Sequence, residues 1–523
     1  MRANPESSNA MHTDAGTVDA RNTHAGLSNA MRAKIICVVF SAAVVLGIVW
    51  PFLFPGQLAW RDMLVLDSPG LTSANFGGGD LFARNAPQDG FLAIIGMVLP
   101  ATIVVKAMMV LSAASAAYGA WRLSNRELLP ALAAIGLAVC NPFIIERLLQ
   151  GHWSLVIAAW LLPLIAATGL AGQALIVWLL LFLTSLTPTG AIIGLIVALV
   201  CLRTHRLITL GLGVFYMLPW AIPGIIATFT GAQEMNAQAA AEAFAPRAEE
   251  AVGTFGAILG LGGIWNADAV PESRHLGFAL FGFGIIACVL LGARFVPKRL
   301  AVLALIGIGL TTAAWLWPSG MAWALDYLPG AGLMRDSQKL LMLAIPFYVA
   351  GLGNIDRTVP AAIALGCVIL QTPDASSSLA VLKGHTGELV DEKLVADAAG
   401  RDVLFIDRDT LVDVEDSPVI DPYSKALNKV ESGSLTVDGE VIDLPSRRWV
   451  AAMTAWEDKD LKVLEELGAG VIVEDEEIIA ETNAPAYSPP WILTSAWMLG
   501  PIIAALAALA IVQNGRRLNP MNS

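Results

Sequence analysis

Residues 34–70 read KIICVVFSAAVVLGIVWPFLFPGQLAWRDMLVLDSPG. The first 21 of these are apolar enough and numerous enough for one helical membrane span, which needs about twenty residues. A polar loop then begins, Trp60 to Asp89, continuing FGGGDLFARNAPQDGF after Ala74-Asn75. It carries Asp62, Asp67, Asp80, Asp89, Arg61 and Arg84 in a chain that is 56% hydrophobic and only 15% charged. Soluble domains average about 25% charge, so the composition indicates a polytopic membrane protein. Ionisable groups beside a membrane are costly unless solvated, paired or used. The loop is therefore the first place to look for a site.

Working outward, further apolar runs lie at about 103–121, 128–141, 154–171, 174–188, 190–203, 206–229, 276–293, 299–317, 338–353, 358–371 and 490–512, giving about twelve spans. The short connections Arg122–Arg126, Arg203–Arg206, Arg294–Arg299 and Asn354–Arg357 and the tail at Arg516-Arg517 are basic. By the positive-inside rule they face the cytosol, with both termini. The remaining connections, 55–89, 142–153, 230–275 and 318–337, face outward. Segment 90–102 is predicted to be an interfacial helix, broken at Pro100 before the second span. Lys106 either snorkels or meets a headgroup.

Residues 1–31 are polar and aperiodic and are expected to form a disordered cytosolic tail. Residues 32–371 then form the multi-span body, 490–513 the last span, and 514–523 a second cytosolic tail. Between them, 372–489 is a separate outer domain. The segment from Gln371 to Pro490 holds 26 of the 44 acidic residues and 10 of the 32 basic ones. The net charge of -12 thus belongs to one domain, which argues against nucleic acid as a partner. Its runs DVLFID, GSLTVDGEVIDL, RWVAAMT and AGVIVED read as strands and EDKDLKVLEELG as a helix, an α/β order. The five cysteines all fall in apolar runs without metal or disulfide spacing.

Four clusters on the outer side carry candidate chemistry. Asp62, next to the end of the first span, and then Asp67 can act as general base toward a hydroxyl; Arg84 and Asp89 follow in ARNAPQD. NPFIIERLLQGHW places Glu146, Arg147 and His152 at the outer surface, where arginine can bind phosphate in a fork. Residues 237–252 read as an amphipathic interface helix, followed by irregular LGGIWNADAVPESR with Trp265. LPGAGLMRDSQK brings Arg335, Asp336 and Lys339 to the outer mouth of a span, against the charge rule, so these bases need a headgroup phosphate or an internal acid as partner. No zincin, nucleophile-elbow or nucleotide-binding signature is present.

The first span with its acidic outer loop, the interfacial helix and the C-terminal outer domain resemble the GT-C superfamily of polyprenyl-phosphate-dependent glycosyltransferases. WRDM, ARNAPQD, NPFIIERLLQGHW, LGGIWNADAVPESR and LPGAGLMRDSQK resemble a group of actinobacterial polytopic proteins. The resemblance implies transfer of a sugar from a polyprenyl-phosphate donor to an envelope glycan or glycolipid on the outer face of the cytoplasmic membrane. Asp62 would be the base, Asp67 second, and Arg84, Arg147, Arg335 and Lys339 would hold the phosphate, with Asp89, Glu146, His152, Trp265 and Asp336 completing the site. The paired acids of that superfamily are absent, since Asp62 and Asp67 stand five apart. No cofactor is indicated, and a divalent cation between Asp62, Asp89 and phosphate remains open. A non-catalytic glycolipid flippase or assembly factor is the alternative.

Overall fold

A computed structural model describes residues 15–82, 85–230, 234–415, 417–487, 497, 499–507, 509–510 and 513. The protein is mostly helical, with a few small sheets, the larger of them near the C-terminus. Among the described residues, eight helical stretches are long and apolar enough to cross a membrane: Met31–Leu53, Ala101–Leu123, Leu128–Gln150, Trp153–Leu170, Arg206–Ala227, Phe278–Phe295, Lys298–Leu316 and Thr358–Leu382. Ala174–Thr184 and Pro188–Cys201 are apolar but shorter, a tight pair split near Thr187-Pro188 because proline lacks the N–H that would continue the helix. The run at 338–353 is a 3-10 turn, Ser337–Leu343, followed by a helix, Ile345–Gly353. About half of the expected span at 490–512, and the terminal segments before 15 and after 513, lie outside the described residues. The first helix runs Ala15–Val49, so residues 15–30, expected in a disordered tail, continue it.

Small side chains let the central helices meet closely. A Cβ on Gly119 would lie 2.4 Å from the backbone nitrogen of Leu164, so Ala101–Leu123 and Trp153–Leu170 touch backbone to backbone there. Trp153–Leu170 is buried along nearly its whole length.

The connections sort onto two ends of the bundle. At one, Arg122 bonds Gln173, Asn354 bonds the carbonyl of Leu123, Arg294 pairs with Asp356, and Arg299 bonds the carbonyl of Val200. These are the basic connections. At the other, Arg61 bonds the carbonyl of Asp268, Asn266 bonds Gln150, and Ser273 bonds Asp374. The sequence-derived grouping of loops is thus reproduced as contacts.

The first outer loop forms a hairpin, Leu58–Trp60 with Met63–Val65, and then a helix, Ala86–Gly96. That helix stops before Pro100, and the next begins at Ala101 with its N–H bonded to the carbonyl of Asp67. Met97, Val98 and Leu99 at the break are exposed, as expected where chain lies at an apolar interface. The Lys106 ammonium donates to the carbonyls of Phe54 at 2.8 Å and Gly56 at 2.6 Å, closing the C-terminal end of the first span.

Two expectations are corrected. The 237–252 segment is a short helix, Ala237–Ala243, whose buried alanines pack against Pro318–Tyr327 and strand Glu440–Asp443, not lipid. In the outer domain, strand Asp402–Phe405 pairs in parallel with Ala469–Glu474, which pairs antiparallel with Glu477–Glu481. RWVAAMT belongs not to a strand but to helix Arg447–Glu457. Ser446 caps it by accepting from the N–H of Trp449, and buried Ala452 and Ala455 recur at helical spacing.

Candidate active site at the outer end of the bundle

The site is built on helix Pro142–Gln150. Asn141 caps it by accepting from the N–H of Ile144, Pro142 starts it, and Gly151 at φ +92° stops it. Every residue of this helix is buried. Glu146 and Arg147 therefore lie inside the protein, not on its outer surface as expected. A helix with charge on one side and apolar residues around it is buried here because three other outer segments close over it.

Arg147 is the hub. Its Nη2 donates to Asp336 Oδ1 at 2.8 Å, its Nη1 to Asp336 Oδ2, and Nη2 also to Gln338 Oε1. Nη1 further contacts His152 Nδ1 at 3.2 Å. Behind it, Glu146 accepts from the N–H groups of Ile264 at 2.9 Å and Gly263 at 3.3 Å and from Gln338 Nε2 at 3.3 Å. Glu249 accepts from Gly263 N–H at 3.1 Å and pairs with buried Arg274. A Cβ on Gly262 would lie within 2.7 Å of Arg274, 2.8 Å of Glu249 and 2.9 Å of Glu146, so the chain can pass only as glycine. Such buried pairs add little net stability, yet breaking one costs about 3–5 kcal/mol because a charge is stranded.

The open face lies in front. The turn Trp60–Met63 is seated on Gly151: a Cβ there would lie 2.3 Å from Met63 N and 2.7 Å from the carbonyl of Trp60. Trp60 Nε1 donates to the Leu149 carbonyl at 2.7 Å, and Asp62 N–H to that of Gln150 at 3.3 Å. This fixes Asp62, whose side chain is 39% exposed, beside His152 at 20%. His152 Nε2 and Gln150 Nε2 both reach Asp62 Oδ2 at 3.0 Å. Gln150 is in turn oriented by Asn266 Nδ2, which donates to its Oε1 at 2.7 Å. Oδ1 of Asp62 accepts no hydrogen bond among the described residues, and the side chain is partly exposed. Lys339 Nζ stands 3.6 Å from Asp336 and remains 24% exposed.

The electrostatics favour an ionised Asp62. Burial pushes its carboxyl up, but the His152 and Gln150 hydrogen bonds and the Lys339 charge outweigh this and hold it below the usual carboxylate range. Asp336 behaves likewise: the Arg147 and Lys339 charges overcome desolvation and hold it far below that range. Burial, with Lys339 and Arg147 nearby, lowers His152 despite the attraction of Asp62.

The other candidates have different places. Asp67 accepts from Thr102 Oγ1 and its carbonyl caps the second span, so it is a structural residue. Asp89 is buried against Lys425 of the outer domain at 2.7 Å, and Asp80 accepts from Glu431 N–H at 3.1 Å beside Arg448. Arg335 donates to both oxygens of Asp443 at 3.0 and 2.9 Å and lies 4.3 Å above the Phe244 ring. Trp265 packs edge-on against Phe244, ring centroids 4.8 Å apart. Arg335 and Trp265 thus join the body to the outer domain and do not line the Asp62 opening. Arg84 lies outside the described residues.

Sequence reasoning did not single out Glu249, hidden in RAEEAV, or Arg61, read only as a partner of Asp62. Arg61 adopts φ +50° in the hairpin turn, a left-handed conformation costly for a residue with a side chain. Its Nη2 donates to the Asp268 carbonyl at 3.1 Å, while Nε and Nη1 are buried without partners. Among the described residues no three acid, histidine or cysteine side chains are grouped to hold a metal ion. Comparison with known proteins finds no matching family model, curated protein or solved structure.

Proposed function

We propose that the protein is a glycosyltransferase of the cytoplasmic membrane, with about twelve spans and both termini cytosolic, that acts at its outer face. The donor is a polyprenyl-phosphate-linked sugar and the acceptor a hydroxyl of an envelope glycan or glycolipid. The acceptor hydroxyl gives its proton to Asp62 Oδ1 as its oxygen attacks the anomeric carbon. The bond from that carbon to the phosphate oxygen breaks, and polyprenyl phosphate leaves. Lys339 and Arg61 meet the phosphate, while Arg147 is held by Asp336 and Gln338 and Arg335 by Asp443. The lipid tail lies along the apolar spans, outside the polar opening.

One observation supports this reading above the others. Of the four acids in the first loop, Asp80 and Asp89 pair with the C-terminal domain and Asp67 accepts from Thr102, whereas Asp62 accepts from both Gln150 and His152 through Oδ2 and so belongs to the Arg147 network. A general base needs this combination of fixed geometry, ionisation and access. The test is Asp62→Asn in a deletion strain, with envelope glycans and lipid-linked sugars profiled. Loss of a glycan with accumulation of its lipid-linked donor is expected. Wild-type glycans at normal protein levels would refute it.

A further inference from the structure

Arginine can only donate hydrogen bonds. The 3.2 Å contact from Arg147 Nη1 therefore requires His152 Nδ1 to be the bare, accepting nitrogen. The ring proton must then sit on Nε2, which is 3.0 Å from Asp62 Oδ2. Arg147 is held in place, because Asp336 and Gln338 accept from its Nη1 and Nη2 in a fully buried setting. Donation therefore diverges from Arg147: to the carboxylate of Asp336 on one side, and to His152, which donates in turn to Asp62, on the other.

We propose that His152 is a positioning residue, locked by Arg147 as the neutral Nε2–H tautomer, that orients Asp62 and leaves Asp62 Oδ1 as the sole proton acceptor of the site. This rests on the glycosyltransferase reading only for the chemistry that Asp62 performs; the tautomer lock follows from the hydrogen bonds alone. The imidazole does not relay the proton. To accept one it would have to point an Nδ1–H at Arg147, with Lys339 close by on the segment that carries Asp336. The charged groups facing the ring are Arg147 on its own connection, Asp62 from the first loop, and Asp336 and Lys339 from the segment before the 345–353 helix. Asp62 and Asp336 favour its protonation, and Lys339, Arg147 and burial oppose it.

The arrangement differs from a histidine general base, in which a carboxylate accepts from one ring nitrogen and the other takes the substrate proton. Here the second nitrogen is sealed by a guanidinium. His152 thus contributes a directed hydrogen bond, and Gln150 a second one to the same oxygen. Together they fix the carboxylate plane.

The test uses full-length protein in nanodiscs labelled with 15N-histidine, His152 being assigned by comparison with His152→Gln. The ring nitrogens are expected to show a neutral Nε2–H imidazole at pH 7 and above, with protonation shifted below the usual histidine range. A protonated Nδ1, or an imidazolium at pH 7, would overturn the proposal. Arg147→Met, where it folds, is expected to release the lock and raise the His152 titration; an unchanged titration would also count against it. In the deletion strain His152→Gln, whose amide can still donate near Nε2, is expected to retain most glycan, and His152→Phe to lose it at least tenfold. Equal loss in both would show that the ring serves packing alone. If Asp62→Asn restores wild-type glycan while the tautomer is as stated, the enzymatic reading fails and the lock stands.

Discussion

Replacing Gly151 by alanine probes how Asp62 is held. The new methyl carbon would lie 2.3 Å from the nitrogen of Met63, 2.7 Å from the oxygen of Trp60 and 2.8 Å from the nitrogen of Asp62. All three are backbone atoms of a hairpin turn, so no rotamer change relieves the overlap. The residue must also keep φ near +92°, and left-handed backbone costs a residue with a side chain about 1–2 kcal/mol. Overpacking against rigid neighbours adds about 1–3 kcal/mol. The expected loss is about 2–5 kcal/mol, read as a lowered midpoint in thermal unfolding of the detergent-solubilised protein. Where the variant still folds, the turn is expected to lift off helix Pro142–Gln150 and free the Trp60 indole N–H from the Leu149 carbonyl. Proteolysis within Trp60–Asp67 should then quicken. A change below about 0.5 kcal/mol with unchanged proteolysis would show that the turn is not seated on Gly151.

Other expectations follow from the same geometry. Gly262→Ala drives a methyl into Arg274, Glu249 and Glu146 and should destabilise by more than 3 kcal/mol; a stable protein would contradict the buried network. Asp443→Ala strips Arg335 of its acid and should speed cleavage between body and outer domain in limited proteolysis, with little effect on the body. The contributions of His152, Asp62 and Asp336 to stability should fall in two stages as pH drops. His152 is neutral in the fold and lowered from its usual value, so the unfolded chain takes up its proton below about pH 6.5. Asp62 and Asp336, both lowered, keep their contribution above about pH 4 and lose it as pH falls through their folded values. His152→Gln should abolish the upper stage in pH-dependent melting; an unchanged profile would refute the assignment.

Much of the framework is legible in the sequence because apolar runs declare themselves locally. The break at Pro100, the division near Thr187-Pro188 and the sorting of loops into two ends all depend on composition within about twenty residues. The basic cluster at Arg335–Lys339, anomalous at the outer mouth of a span, does have the partner that its position demanded. That partner is protein: Asp443 for Arg335 and Asp336 beside Lys339. What remained hidden are pairings across long separations. Arg147 and Asp336 stand 189 residues apart, and nothing in IIERLLQ announces that a second acid, Glu249, will be buried beside Glu146. RWVAAMT misreads as a strand because seven residues show too little periodicity, whereas its Ser446 cap identifies the helix. The first loop likewise offers four acids in sequence, and only folding shows three of them in use as struts.

The central claim is that Asp62 accepts the proton in sugar transfer. It is tested most directly by purified protein in proteoliposomes containing radiolabelled lipid-linked sugars from the deletion strain, with envelope glycan as acceptor. The wild-type protein is expected to move label from lipid to glycan. Asp62→Asn is expected to bind the lipid and unfold at the wild-type temperature, but to transfer at less than a hundredth of the rate. Transfer by Asp62→Asn at the wild-type rate would contradict the account.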